Sequence, residues 1–307
     1  MTIKKDFNEN LIKFSGKYNS ELIPNADMSK FSTIRSGACM EFVCIPKSVP
    51  ALIAIVKLLN IYGRKYIVIG GCSNTLFVPG NSNIVGISLA GIKNSPCKFL
   101  DKEISVAGGA SIASVVSKLI NNGISSIEGL VGIPGTIGGA ISNNAGYKYD
   151  IASKLKSIII LDRSGNIRPV NVKEIEFGYR YSSLPKTWII LEATFSANKS
   201  SSSKIKSEVK KDFEHKFNIQ PLAERTLGSV FKNPKGTQLK AWELISNSGL
   251  RGKEIGGAKI SDKHSNFIVN KNSASPEDIR ALILHAQKVV REQFKIELEP
   301  EIEIVEI

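Results

Sequence analysis

The stretches of this chain that could do chemistry are short and far apart. Gly70-Gly71-Cys72-Ser73-Asn74 follows an apolar run. Small residues after a strand leave backbone N–H groups open, so the turn could form an anion-binding nest with Ser73 and Asn74 adding side-chain hydrogen bonds, or be an ordinary tight turn. It is not a dinucleotide fingerprint. The spacing is not G-x-G-x-x-G, Pro79-Gly80 blocks the helix that should follow, and no acidic residue sits about twenty positions on. In Glu128–Ala140, Gly129, Gly132, Gly135, Gly138 and Gly139 recur around Ile133, Pro134 and Thr136. Each glycine weakens local structure by roughly 0.5–1 kcal/mol, so the run needs a compensating purpose. Two such loops could clasp a pyrophosphate, or strands could pass closely there.

The side chains with reactive potential lie further on. Arg180, between Tyr179 and Tyr181, offers a planar fork that suits a carboxylate, with a solvated surface arginine as the plain alternative. Gly228-Ser229-Val230-Phe231-Lys232-Asn233-Pro234 sets a hydroxyl beside glycine with a cation and an amide close behind, although loop serines are commonly turn formers. Leu298-Glu299-Pro300-Glu301 carries two carboxylates that would otherwise read as an acidic strand entry, and His264 alone reads as a surface or hydrogen-bonded imidazole. Cys39, Cys44, Cys72 and Cys97 form no C-x-x-C pair. No metal site is expected, and free thiols suit a reducing compartment.

These residues need a scaffold to position them. The spacing predicts a β-α-β unit from a strand at Glu41–Ile45, a helix over Ser48–Ile61 and a strand at Tyr66–Ile69. Strands follow at Ile84–Ile87 and Ile104–Ala107, then a helix after Ser111 that stops at Asn122-Gly123. Leu155–Leu161 and Ile167–Val172 read as a hairpin, and Trp188–Phe195 as another strand. The polar run Asn198–Ser203 marks a domain boundary. Beyond it come a basic amphipathic segment (Lys204–Phe217), a loop (Asn218–Gly236), a short helix (Leu239–Ser246) and strands at Ala258–Ile260 and Phe267–Val269. A long helix then begins with Ser275 as cap and Pro276 as first residue.

Length and composition bound the function class. At roughly 150 residues per domain, 307 residues suggest two domains with room for real cores. With 42% hydrophobic and 22% charged residues the chain is neither disordered nor fibrous. No run approaches the ~18 apolar residues of a membrane span. Met1–Phe14 lacks the apolar core of a signal peptide, so a cytoplasmic protein without membrane contact is expected. The net charge of +13 favours anionic partners, but the basic residues are scattered and identify none.

Together, Gly70–Leu76, Glu128–Gly146, Tyr179–Ser182, Gly228–Pro234, Gly256–Asn270 and Leu298–Glu301 resemble the MurB family of UDP-N-acetylenolpyruvoylglucosamine reductases, in that family's order, from about Ser32 to Ile304. The resemblance implies an α+β protein: an FAD-binding domain of the vanillyl-alcohol-oxidase/PCMH type with two α+β subdomains, plus a smaller α+β substrate-binding domain. The implied limits are 1–198 (core about 33–198), 199–300, and a tail at 301–307 that returns to the first domain. With no insertion between Arg180 and Ser229, the chain looks like the shorter subtype that lacks the tyrosine-bearing loop.

The family reaction is NADPH-dependent reduction of UDP-N-acetylglucosamine enolpyruvate to UDP-N-acetylmuramate through tightly but non-covalently bound FAD. It serves peptidoglycan synthesis, and so cell shape, division and the cell cycle. The match implies catalytic roles for Arg180, Ser229 and Glu301. It implies flavin contacts from Gly70, Gly71, Cys72, Ser73, Asn74, Thr75, Leu76, Gly132, Ile133, Pro134, Gly135, Thr136, Gly138, Gly139 and Gly146, and substrate contacts from Lys232, Asn233 and His264. A monomer without nucleic-acid partners is expected. The chain departs from the family at Cys72, where glycine is usual, at Ser36 and Ala38 near Arg35, and at Gly146-Tyr147-Lys148-Tyr149. An FAD-linked oxidase would explain the glycine loops but not Arg180, Ser229 and Glu301 together. A nucleic-acid binder would show a recognisable motif or aromatic platform, and neither occurs.

Overall fold

The computed structural model describes residues 2–80, 83–92 and 97–307, with side chains from residue 6 onward. The chain divides into two compact units. Unit 1 comprises Met1–Ala26, Met40–Gly71 and Asn83–Phe213; unit 2 comprises Asp27–Cys39, Cys72–Ser82 and Glu214–Ile307. The division falls inside a helix at 213/214, well past the polar run at 198–203. That run is held down, because Asn198–Lys199 pairs with Ile124–Ser125 and the helix begins at Ser202.

Unit 1 begins with α1 (Thr2–Lys17), which the sequence pattern did not signal. A four-stranded sheet follows in the order Glu21–Asp27, Cys39–Ile45, Ile84–Ser88, Lys65–Ile69. The strands expected to flank one β-α-β unit are not neighbours: Ile84–Ser88 lies between them, parallel to both. Helix α2 (Val49–Ile61) connects them. Ser48 caps it, its hydroxyl accepting from the Ala51 N–H at 3.3 Å, and Leu52, Ile55, Val56 and Leu59 are buried with Phe7 and Leu11 of α1. Each such side chain contributes roughly 1.5–3 kcal/mol of burial.

The second layer of unit 1 is an antiparallel sheet in the order Ile167–Asn171, Leu155–Leu161, Ile189–Ser196, Glu103–Ala107, Cys97–Leu100. Its hairpin pairs Ile167 with Leu161. Helix α3 (Ile112–Asn122) is capped by Ser111 and ends at Gly123, whose φ of +61° is the left-handed conformation of a glycine C-cap. With α4 (Ile137–Ser142) it buries Val115, Leu119, Ile137 and Ile141 against Ile158, Ile160 and Phe195. The basic segment beyond is helical, α5 (Ser202–Ile219).

Unit 2 is built on an antiparallel sheet, Thr226–Ser229, Phe267–Asn270, Ala258–Ile260, Glu254–Ile255. The stretch expected as a loop at 218–236 therefore supplies an edge strand. Helix α6 (Ala241–Asn247) precedes the long α7 (Pro276–Phe294), whose N-terminus is a reciprocal capping box between Ser275 and Asp278. Ile279, Leu282, Ile283, Ala286 and Val290 of α7 share one core with Leu244, Ile260 and Ile268. The tail strand Glu303–Glu306 pairs in parallel with Thr75–Val78, which belongs to the same unit.

Candidate functional site

In unit 1 the two glycine-rich stretches meet. A Cβ on Gly71 would lie 2.8 Å from the Gly135 Cα, and one on Gly70 would lie 2.6 Å from the Thr136 hydroxyl. Gly132 and Gly135 have φ of +75° and +116°, where a side chain is strained. Close backbone approach thus accounts for these glycines. It also leaves donors over: among the described residues, the N–H groups of Gly71, Gly132, Gly135 and Thr136 donate to no protein acceptor. Backbone donors without partners in a loop that admits no side chains suit phosphate oxygens, which is the fit a pyrophosphate-bearing cofactor requires. Gly138 and Gly139 serve the fold instead. Gly138 N–H donates to Gly108 O at 2.8 Å and Gly139 N–H to the Thr136 cap at 3.4 Å.

The altered segment after Gly146 buttresses that loop. The Tyr149 hydroxyl accepts from Gly129 N–H at 3.0 Å and donates to Ser126 O at 3.1 Å, while Glu128 accepts from Ser126 N–H and the Ser125 hydroxyl, both at 2.5 Å. Burial pushes the Tyr149 phenol up to about 12, so it stays a neutral donor. Lys148 is ion-paired to Asp212 at 2.5 Å.

Arg180 occupies a two-residue turn. Phe177 pairs with Ser182 and Gly178 with Tyr181, leaving Tyr179 and Arg180 as the loop. Arg180 sits at φ +53°, at a turn position that favours glycine. Its guanidinium is placed by Nη2 donating to Gly146 O at 2.9 Å, by Asp150 at 3.5 Å from Nη1, and by the Tyr179 ring at 5.3 Å. The side chain is mostly buried, at 22% exposure. A cation so fixed, on a strained residue, is not a solvated surface arginine.

Unit 2 collects the remaining side chains. Ser229 ends the edge strand after Gly228, whose φ of +79° accompanies an irregularity in pairing with Phe267–Asn270. Among the described residues the Ser229 hydroxyl makes no hydrogen bond. The next carbonyl, Val230 O, accepts the Glu301 N–H at 2.8 Å, and the Asn74 amide donates to Glu301 O at 3.1 Å. The Glu301 backbone therefore ties the segment after Ser229 to the Asn74 side chain. Lys232 pairs with Glu299 at 2.6 Å, and Asn233 accepts from Ala241 N–H at 3.1 Å.

The His264 ring lies 4.8 Å from Phe267 and 6.2 Å from Trp242. Burial, and then the positive charge of Arg251, hold it down at about 4. Its Nδ1 accepts the Asn266 N–H at 3.3 Å, so the proton of the neutral ring sits on Nε2, as a donor. Cys72 has φ +41°, where glycine is the natural choice, and burial pushes its thiol up to about 12. The N–H groups of Cys72 and Asn74, like those in unit 1, donate to no acceptor among the described residues. Thr75 and Leu76 lie in the strand paired to the tail.

Two asparagines of the site carry no signal in the sequence. Buried Asn266 exchanges two hydrogen bonds with the Phe231 backbone, at 3.0 and 2.8 Å, and so fixes the segment after Ser229. Asn144 lies beneath the Arg180 turn. Among the described residues no cluster of three or more His, Cys, Asp or Glu could hold a metal.

A family model for an FAD-binding domain matches residues 40–170, which include both glycine-rich stretches. The model for the C-terminal domain of UDP-N-acetylenolpyruvoylglucosamine reductase matches residues 220–305, which include Ser229, Lys232, Asn233, His264 and Glu301. The enzyme of that name from Caldicellulosiruptor saccharolyticus is 35% identical over 294 residues, covering 94% of this chain and 93% of its own. The chain belongs to the MurB family. The Bacillus subtilis MurB relative is 33% identical, with 93% of this chain and 94% of its own covered. A crystal structure of MurB from Thermus caldophilus superimposes with a TM-score of 0.76 at 25% identity, covering 93% of this chain and 98% of that one. The MurB assignment carries the α+β fold class and the flavin-binding domain with it, and the match extends over the chain segments of both units.

Proposed function

We propose that the chain reduces UDP-N-acetylglucosamine enolpyruvate to UDP-N-acetylmuramate with NADPH as hydride donor, the reductive step of peptidoglycan precursor synthesis and thereby of wall growth, cell shape and division. Unit 1 carries most of the flavin contacts and unit 2 most of the substrate contacts. When bound, FAD supplies hydride transfer, accepting a hydride from NADPH and delivering one to the enolpyruvyl double bond. The open N–H groups of Gly71, Gly132, Gly135 and Thr136 in unit 1 would hold its pyrophosphate.

The observation that carries the reading is Arg180, a mostly buried guanidinium held at φ +53°. Hydride addition to the β-carbon of the substrate leaves negative charge spread from the α-carbon onto the carboxylate. A fixed planar cation opposite that carboxylate stabilises the charge as it develops, which is the largest catalytic contribution available. Ser229 then protonates the α-carbon. A serine hydroxyl is a weak acid and serves only against a strongly basic carbanion within hydrogen-bond reach, so a hydroxyl not already committed to a protein acceptor suits the task. Glu301 assists through hydrogen bonding. Lys232 binds an anionic part of the substrate by exchanging its exposed partner Glu299, Asn233 contributes its amide, and His264 donates from neutral Nε2.

The enzyme acts as a monomer in the cytoplasm, where free thiols persist. The test is purified holoprotein assayed with NADPH. Consumption of NADPH that requires the enolpyruvyl substrate and yields an equal amount of UDP-N-acetylmuramate supports the reading. Consumption matched by oxygen uptake and indifferent to that substrate makes the protein an oxidase.

A further inference from the structure

The turn that carries Arg180 does not hold its left-handed residue by pairing alone. It stands on a two-stranded ribbon two residues long, too little to impose a strained conformation by itself. What lies beneath it is Asn144, 3% exposed, directly after α4. Its Nδ2 donates to Gly178 O at 2.8 Å, the carbonyl two residues before Arg180, and its Oδ1 accepts the Ala152 N–H at 3.3 Å. Asn144 is itself at φ +44°, a conformation asparagine adopts more readily than most residues. A second anchor lies on the other strand, where the Ser182 hydroxyl donates to Ser142 O at 2.7 Å. Both strands of the ribbon are thereby tied to the end of α4, and the guanidinium closes the arrangement on Gly146 O, two residues beyond Asn144.

The geometry points to Asn144 as a positioning residue for Arg180: its carboxamide holds the Gly178 carbonyl and so fixes the turn that aims the guanidinium at the substrate carboxylate. This rests on the function proposed above. Asn144 hydrogen-bonds to Gly178 O and Ala152 N–H and not to Arg180. Its loss is felt through Arg180, in the step that needs the cation, and not in flavin reduction by NADPH.

The test uses holoenzyme of wild type, Asn144→Gly, Asn144→Asp and Arg180→Ala, with each Asn144 change also made in the Arg180→Ala background. Flavin reduction by NADPH and flavin reoxidation by UDP-N-acetylglucosamine enolpyruvate are followed separately by flavin absorbance. Gly keeps the left-handed backbone and deletes the clamp; Asp keeps the shape and the acceptor but loses the donor to Gly178 O. Both are expected to slow reoxidation roughly tenfold or more, since small misplacements of a reacting group cost up to about 10²-fold. Reduction should stay within about threefold, and neither change should slow reoxidation further once Arg180 is alanine. Equal slowing of both half-reactions, an undiminished effect in the Arg180→Ala background, or reoxidation at the wild-type rate overturns the inference. A wild-type flavin that NADPH reduces but this substrate does not reoxidise fails the functional reading instead.

Discussion

Arg180 is held at a cost that its function justifies. An L-residue in the left-handed region loses roughly 1–2 kcal/mol that glycine would not. Arg180→Gly and Arg180→Ala remove the same guanidinium contacts and differ chiefly in that strain, so the glycine variant should be more stable by about 1 kcal/mol in denaturant unfolding. Equal stability would mean that the turn is relaxed. His264 makes a second residue-level prediction. Its folded value is about 4 against an ordinary 6.5, so between those pH values the unfolded chain takes up a proton that the fold refuses. Stability contributed by the neutral ring is complete above about 6.5 and is lost as pH falls toward 4. The His264 resonance should titrate near 4, and His264→Gln should flatten the pH dependence of the unfolding midpoint in that window. Titration near 6.5 would contradict the buried ring.

Among the elements, the decisive contact is backbone against backbone. The turn after Lys65–Ile69 touches the loop before α4 with no room for a methyl group between Gly71 and Gly135. Gly71→Ala should cost roughly 1–3 kcal/mol as an overpacked contact and lower the flavin-to-protein ratio of the purified enzyme. Full flavin content with an unchanged melting temperature would refute the close approach. Much at this scale was legible in the sequence because its signals are local. Ser275 caps the helix it precedes, α3 follows Ser111 and ends at Gly123, and apolar spacing marks α2, α3 and α7. What was not legible depends on distant partners. Thr75–Val78 and Glu303–Glu306 become strands by pairing with each other, and Thr226–Ser229 is an edge strand only beside Phe267–Asn270. Helix α1 mixes polar and apolar residues too evenly to be read, yet Phe7 and Leu11 are fully committed to the core. The glycine stretches stand out by residue type, and Arg180, Ser229 and Glu301 by the resemblance of their surroundings to the family's motifs. Asn144 and Asn266 do not, because a buried asparagine is recognised only by the backbone groups it satisfies.

For the whole molecule, charge and division of labour matter most. The formal charge of +13 lies mostly on unit 1 and fits anionic substrates without any nucleic-acid motif. Screening lengths fall from about 30 Å at 0.01 M salt to about 3 Å at 1 M. The kcat/KM for the nucleotide substrates should therefore fall several-fold across that range while kcat changes little, and a flat profile would remove any role for the net charge in capture. The chain is composed of a unit rich in bare backbone donors and a unit rich in reactive side chains, each assembled from discontinuous segments. The central claim is that these serve one reduction in two separable halves, with Ser229 needed only in the second. Anaerobic stopped-flow of the Ser229→Ala holoenzyme tests it most directly: NADPH should reduce the flavin within about threefold of the wild-type rate, and reoxidation by UDP-N-acetylglucosamine enolpyruvate should be slower by about 10²–10⁴-fold. Reoxidation at the wild-type rate, or equal loss in both halves, would contradict the account.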